Sequence, residues 1–312
     1  METGWLCVAM RWGISVLGAF VLASVLVDGV RAALAIGGGV VLRGAARLCG
    51  ATCRRLCSVL GDRAAALVLR LSGPVSLALV LLAWLTGWQL GTCALGAHLP
   101  MALPVELAVV GHVTLVVLFG IHVAGTGAAW RARERGAAPF GDDLAAEDVL
   151  AAFLDTGGRD RLDRTMVGWA EWLAEVRAAH RSWPVLLHSP PAQPPGWIDA
   201  AVVMLDVAAL AEALAPNWAP PHTTRVLVIG RDCVRDALVA AGTTPPGVPI
   251  SLHGREDRAF EDTVRLLADA GLRIDRDPGD AWADFQSRRT CYAPAASALA
   301  DRLGHSRLRH AH

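Results

Sequence analysis

The chain has 312 residues, 54% of them hydrophobic, with 29 basic and 29 acidic side chains. That apolar share and the positive mean hydropathy exclude an ordinary soluble protein. The zero net charge hides an asymmetry: residues 1–140 carry 11 arginines against 5 acids, residues 141–312 carry 18 against 24, and so acidic a second half excludes a nucleic-acid partner.

Residues 12–36 form the first apolar stretch, interrupted by Asp28 and Arg31. Three residues apart on one helical face, these two can pair, and Arg31 near the inner end can snorkel to the interface. The rival reading is a cleaved signal within residues 1–32, because Arg11 followed by an apolar run resembles one.

Residues 37–73 hold Arg43, Arg47, Arg54, Arg55, Arg63 and Arg70 against Asp62 alone and are expected to form an amphipathic linker. Cys49, Cys53 and Cys57 make one stripe if this linker is helical. Three thiolates can hold a soft metal. This spacing, however, spreads the sulfurs along more than about 10 Å of helix, and no fourth ligand is near. Packed small side chains on a membrane-adjacent face are the expected role. Seven scattered cysteines in all point to free thiols rather than a disulfide framework.

Two further apolar stretches follow, 74–97 and 104–126, each long enough to cross a hydrocarbon layer of about 30 Å. Between them lie six residues, 98–103, in which only His98 is ionisable. Gly87 and Gly91 form a G-x-x-x-G step, expected to meet the third stretch across this tight hairpin. Ionisable groups inside a membrane are functional candidates because they are expensive to place there. His112, at mid-depth of the third stretch, is expected to be a neutral histidine bonded to a neighbouring helix, with a pore or proton group as the functional alternative; Glu106 and His122 lie towards the ends of the stretch. The basic segment 127–141 then brings Arg131, Arg133 and Arg135, with Trp130 as an interfacial anchor. Positive segments stay inside. The expectation is a multi-pass protein of the cell membrane, N-terminus outside, with residues 37–73 and 127–312 cytoplasmic.

Residues 142–312 read as helices separated by Pro/Gly-rich loops. Asp142 and Asp143 cap a short helix ending near Gly157. An amphipathic helix over 159–180 sets Leu162, Met166, Trp169, Leu173 and Val176 on one face. A proline-rich loop covers 184–195. The apolar stretch 197–215 carries Asp206 and Glu212, and a central Asp costs roughly 2.5–3.5 kcal/mol in a bilayer. That makes it a buried core helix rather than a fourth span. Thr223 and Thr224 cap a helix to Gly242, although 225–229 can also be read as a short strand. Helices over 255–270, stopping at Gly271, and from Asp277-Pro278, bent near Pro294, complete the domain. The fold class is all-α: three transmembrane helices plus a cytoplasmic helical domain of about 170 residues, large enough for a core.

No catalytic, cofactor or metal motif is present. Val226-Leu-Val-Ile-Gly230 lacks the G-x-G-x-x-G that a pyrophosphate needs, and neither a P-loop nor a G-x-S-x-G occurs. His180, His188 and Asp206 are not spaced as a hydrolytic set, and His305, His310 and His312 form a polar tail. The chain is read as a non-enzyme.

In the second half, Trp169-Ala-Glu-Trp172, His180, Trp183-Pro184-Val185-Leu186, Ser189-Pro190, Trp197 and Leu205–Leu210 follow one another in a pattern that resembles the cytoplasmic tail of bacterial potassium-channel-like membrane proteins. Trp282, Phe285, Arg289 and Tyr292 are similar to that family's "W..F…R..Y" ending. The layout of the membrane half is also similar: Asp28 in the first span, an Arg-rich linker, and Ser72-Gly73-Pro74 before the second span. The resemblance implies structural or contact roles for Asp28, Arg31, Trp197, Asp206, Trp282, Arg289 and Tyr292. It also implies a pore helix and a T-x-G-[YT]-G-D filter between the last two spans, whose carbonyls replace potassium's hydration shell. These need roughly 25–30 residues, and about six are present; His188 also stands where the family tends to have Arg. The expected function is therefore a degenerate, non-conducting channel-like protein. Its helical domain binds its own copies or another membrane protein, through the loop 184–195 and the face around Trp197 and Asp206. The alternative is an ion channel or transporter with an oligomeric pore lined by the third span and His112.

Overall fold

The computed structural model describes residues 2–37, 39–60, 62–96, 102–140, 145–156, 158–191, 196–244 and 255–303. His98, Asp142, Asp143, Pro194, Pro195, His305, His310 and His312 lie outside them. Every regular element among the described residues is a helix. The chain divides into two compact units: Met1–Ala129 with His180–Ser189, and Trp130–Ala179 with Pro190–His312.

In the first unit α1 is Glu2–Ala33, α2 is Val40–Val59, α3 is Asp62–Leu95 and α4 is Ala102–Ala137, of which the residues up to Ala129 belong to this unit. Three stretches within them, Met10–Ala33, Arg70–Leu95 and Leu103–Ala137, are long and apolar enough to cross a membrane. This is a membrane protein by the length and composition of those helices.

The helix of the second apolar stretch, α3, begins about three turns before the expected start at Pro74, which lies inside it. The proline removes one i→i−4 bond, but α2 packs antiparallel along this part of α3 and holds it. Cys49 donates its S–H to the Ser72 carbonyl at 3.3 Å and Cys57 to that of Ala65 at 3.6 Å. Cys49, Cys53 and Cys57 are all buried, the first two sulfurs 3.9 Å apart. The stripe is thus a packing face, as expected, and no cluster of three or more metal-ligating side chains occurs among the described residues.

Gly87 and Gly91 take a different partner from the one expected. A Cβ at Gly87 would come 2.9 Å from Val25, and one at Gly91 would come 2.7 Å from Leu22, both on α1. The face of α3 towards α4 is instead occupied by indoles: Trp88 donates to the Leu107 carbonyl at 3.2 Å, and Trp84 meets Phe119 edge-on. Small residues allow close backbone approach, and here that approach is to the first span because tryptophans fill the other side.

Gly111 of α4 lies directly under the Trp88 ring, where any Cβ would overlap the indole. Gly111→Ala is therefore expected to displace Trp88, break its bond to Leu107 and lower stability by about 1–3 kcal/mol. Gly120, with nothing near its missing Cβ, serves as the control: Gly120→Ala should leave the melting temperature in detergent unchanged or slightly raised. Equal melting temperatures for both variants would rule out the Trp88 wedge.

The segment 184–195, expected to be an exposed contact loop, opens instead as a turn of helix, α7 (Val185–His188), with Val185, Leu186 and Leu187 buried in the first unit. Ser72 donates to the His188 carbonyl at 2.9 Å, Ser182 to the Ala35 carbonyl at 3.1 Å, and Trp183 lies against Gly125. Three apolar residues after a proline bury well, which the count of prolines obscures.

The second unit is built from α5 (Ala146–Thr156), α6 (Gly158–Ser182) up to Ala179, α8 (Trp197–Leu214), α9 (Thr223–Ala240), α10 (Arg255–Asp269), α11 (Pro278–Arg289) and α12 (Ala293–Leu303). Central to it is α8, apolar on nearly every side and enclosed by α5, α9, α11 and α12. It is the buried core helix expected, not a fourth span. Leu162, Met166, Trp169, Leu173 and Val176 of α6 are buried as their spacing requires. Residues 225–229 are helical, inside α9, so the strand alternative is wrong. Gly230 lets α9 close on Leu205 of α8, where a Cβ would lie 2.6 Å from its Cδ2. Asp277 caps α11 by accepting from the Gly279 N–H at 3.0 Å, with Pro278 at the first helical position. The expected bend near Pro294 is a full break between α11 and α12.

Candidate functional site

Among the described residues, each unit carries a buried polar constellation. In the first, α1 supplies Asp28, α3 supplies Trp84 and α4 supplies His122. Trp84, fully buried, donates from Nε1 to Asp28 Oδ2 at 2.9 Å. His122, also fully buried, donates from Nδ1 to the Ala32 carbonyl at 3.0 Å. A carbonyl only accepts, so Nδ1 carries a proton; Nε2 has no hydrogen-bond partner among the described residues. Thr126 Oγ1 donates to the His122 carbonyl at 2.8 Å. Gly39 passes so close to the Asp28 carboxylate that a side chain there would overlap it.

This arrangement differs from the sequence reading in two ways. Asp28 and Arg31 form no ion pair: Asp28 turns inward to the indole, and Arg31 is exposed. A rigid indole N–H held in a packed core satisfies the carboxylate without immobilising a long side chain. The depth also differs. Trp84 is 11 residues from Leu95, about 16 Å along the helix, so the Asp28–Trp84 bond lies near the middle of the layer. His112 is half-buried and bonds the Ala108 carbonyl of its own helix at 2.6 Å, and Glu106 is exposed. The structure does not bring these two candidates together. His122 is the group that meets the other spans. Its signal in sequence, a histidine one helical turn before Thr126 in an apolar run, is too common to single it out.

In the second unit the two best-matched sequence motifs converge. Asp206 of α8 receives Arg289 Nε at 3.1 Å and the Tyr292 hydroxyl at 2.5 Å. Neighbouring Glu212 accepts from Arg288 and from Thr224 Oγ1, and Asp284 accepts from Arg288 at 3.1 Å and Arg276 at 2.8 Å. Burial pushes the Asp206 carboxyl above its ordinary range, against the pull of Arg289 and Tyr292. Burial, and then the Asp206 charge, pushes the Tyr292 phenol well above its own. Trp197 is fully buried at the start of α8, and Trp282 packs on Phe260 and Phe285 with centroids 5.0 and 6.2 Å away. The face around Trp197 and Asp206 is thus interior, not the contact surface expected. Arg289 and Tyr292 serve Asp206, and Arg288 and Thr224 serve Glu212, all from within the unit. The arrangement holds α8, α11 and the start of α12 together.

A second pair went unrecognised in the sequence: Asp163 of α6 accepts from the ring Nδ1 and the backbone N–H of His222, at 2.9 and 3.0 Å. Partial burial pushes Asp163 upward, but the two His222 bonds and the charges of His222 and Arg159 outweigh it and hold it below its ordinary value. Residues 59 apart in sequence offer no spacing from which to infer such a pair.

No family model matches the sequence, and no curated protein or solved structure is similar to the chain.

Proposed function

We propose that this chain is a non-conducting, channel-like protein of a bacterial cell membrane, anchored by three spans, whose cytoplasmic helical domain binds a partner or further copies of the chain. The observation that carries the reading is the α3–α4 connection: six residues separate Leu95 from Ala102, against roughly 25–30 for a pore helix and filter strand. Polar groups in the spans support it. Asp28 and Trp84 bond each other, His122 bonds the Ala32 carbonyl, and His112 bonds its own helix, so their donors are directed at protein rather than at a lumen. The arginines on either side of the spans support an external N-terminus and a cytoplasmic helical domain.

The test is potassium flux from liposomes containing the folded protein, with its mass in detergent measured in parallel. Flux equal to that of empty liposomes, from a homogeneous folded species, is the expected result. A saturable flux that falls in His112→Ala would overturn the proposal in favour of an oligomeric pore along α4.

A further inference from the structure

Arg31, Arg43, Arg47 and Arg70 are exposed, and none has a carboxylate partner among the described residues. The first unit has little acid to offer them: Asp28 is turned inward to Trp84, Glu106 is on the first turns of α4, near the Leu95 end of α3, Glu2 opens α1, and Asp62 opens α3 about two turns before Arg70. Packing sets the depth of these guanidinium groups. A hydrocarbon layer of about 30 Å takes about 20 helical residues, so a layer measured from Leu95 ends near Ser76. Leu42 of α2 and Val80 of α3 belong to one core cluster, and Cys49 bonds the Ser72 carbonyl. Arg43 and Arg47 lie between those two contacts, beside residues 75–79, at the edge of the layer. Val25 against Gly87 and Asp28 against Trp84 place Arg31 about one turn deeper, within snorkelling reach, while Arg70 lies about two turns beyond the edge. Exposed Val40, Leu48, Leu71 and Val75 stand among them.

We infer that this face of α2 and α3 binds anionic diacyl phospholipid, with Arg43 and Arg47 holding the phosphate and the neighbouring apolar side chains lying along the acyl chains. A guanidinium matches a phosphate with two parallel N–H donors, and each basic residue close to an anionic surface strengthens binding about five-fold. The apolar residues alone would accept any lipid; the unpaired arginines at headgroup depth select the charge.

The experiment is native mass spectrometry of the delipidated full-length protein in detergent, titrated with phosphatidylglycerol or with phosphatidylcholine of the same chains. Phosphatidylglycerol should bind at least ten-fold more tightly, and this preference should shrink as ammonium acetate is raised. Arg43→Gln combined with Arg47→Gln should remove most of the preference and leave phosphatidylcholine binding unchanged. Arg131→Gln with Arg135→Gln, on the last turns of α4 and in the second unit, should bind as the unaltered protein does. Equal affinity for the two lipids, or a preference that survives the Arg43/Arg47 change in a variant of unaltered melting temperature, overturns the inference. So does displacement of the lipid by soluble glycerol phosphate, which would make the headgroup alone the ligand. The Arg43→Lys, Arg47→Lys variant keeps the charge but loses the two-pronged geometry, and should fall between the unaltered and Gln forms.

Discussion

Trp84→Ala should be among the most destabilising single substitutions in the membrane unit, by about 3–5 kcal/mol. The indole is fully buried among Leu22, Val25, Ala32, Leu42, Val80 and Leu115. Lipid tails are as apolar as these side chains, so within a bilayer the loss is chiefly of packing contacts rather than of transfer from water. A second part is polar. Without the Nε1–H the Asp28 carboxylate, 7% exposed, has lost its donor, and a hydrogen bond to a charged group contributes about 1.5–3 kcal/mol. Trp84→Phe separates the parts by keeping most of the volume and removing the donor, so roughly half the effect should remain. Adding Asp28→Asn to Trp84→Phe should then cost less than Asp28→Asn alone, because the partner is already gone. Denaturation by a graded detergent titration would read all three. Strict additivity would mean that the 2.9 Å bond couples nothing.

The second large effect belongs to Asp206→Ala, expected to lower the stability of the helical domain by about 2–4 kcal/mol, chiefly because the Tyr292 hydroxyl is left buried without its acceptor. Arg289 and Tyr292 both lose their acceptor, and the join between α8 and α11 should loosen first. Asp206→Asn should be tolerated far better. The direction of the pH effect follows from burial. The Asp206 carboxyl is held above its ordinary value, so its favourable contribution is complete below about 4, the unfolded value, and is lost as pH rises through the raised one. Arg289 does not reverse this because its own side chain is about a third exposed (36%) and its charge is partly screened. Asp163 has the opposite sign: held low by His222, it stabilises above the ordinary range and loses that as pH falls. Melting curves of Asp206→Asn against pH should therefore lack the decline on the alkaline side of the carboxylate range and retain the acid-side loss. A variant profile that simply runs parallel to the unaltered protein's would show that Asp206 does not titrate in this way.

The surface expected around Trp197 and Asp206 illustrates how burial is misjudged from sequence. Trp, Asp, Arg and Tyr in a motif look like recognition chemistry, yet here Asp206, Arg289 and Tyr292 bond one another and Trp197 is buried. The binding surface implied by the proposed function must lie elsewhere on the helical domain, on faces whose sequence carries no comparable pattern.

What the sequence by itself determined are the properties that repeat along the chain. Three apolar stretches, the six-residue connection, the buried face of α6 and the all-α class follow from composition and from a period of 3.6, which local residues dictate. Most helix limits were near at hand for the same reason, with Pro74 the exception because a neighbouring helix, not the local sequence, carries α3 through it. The tertiary structure alone decided which side chains meet. Asp28 has a potential partner three residues away in Arg31 and takes Trp84, 56 residues on. Gly87 and Gly91 face α1 because Trp88 and Trp84 already fill the gap to α4. His122 rather than His112 joins the spans because its side of α4 is the side turned to Ala32. Spacing states which residues share a helical face; it does not state which helix that face will meet, and every polar pair in this protein that matters for the site is a choice of the second kind.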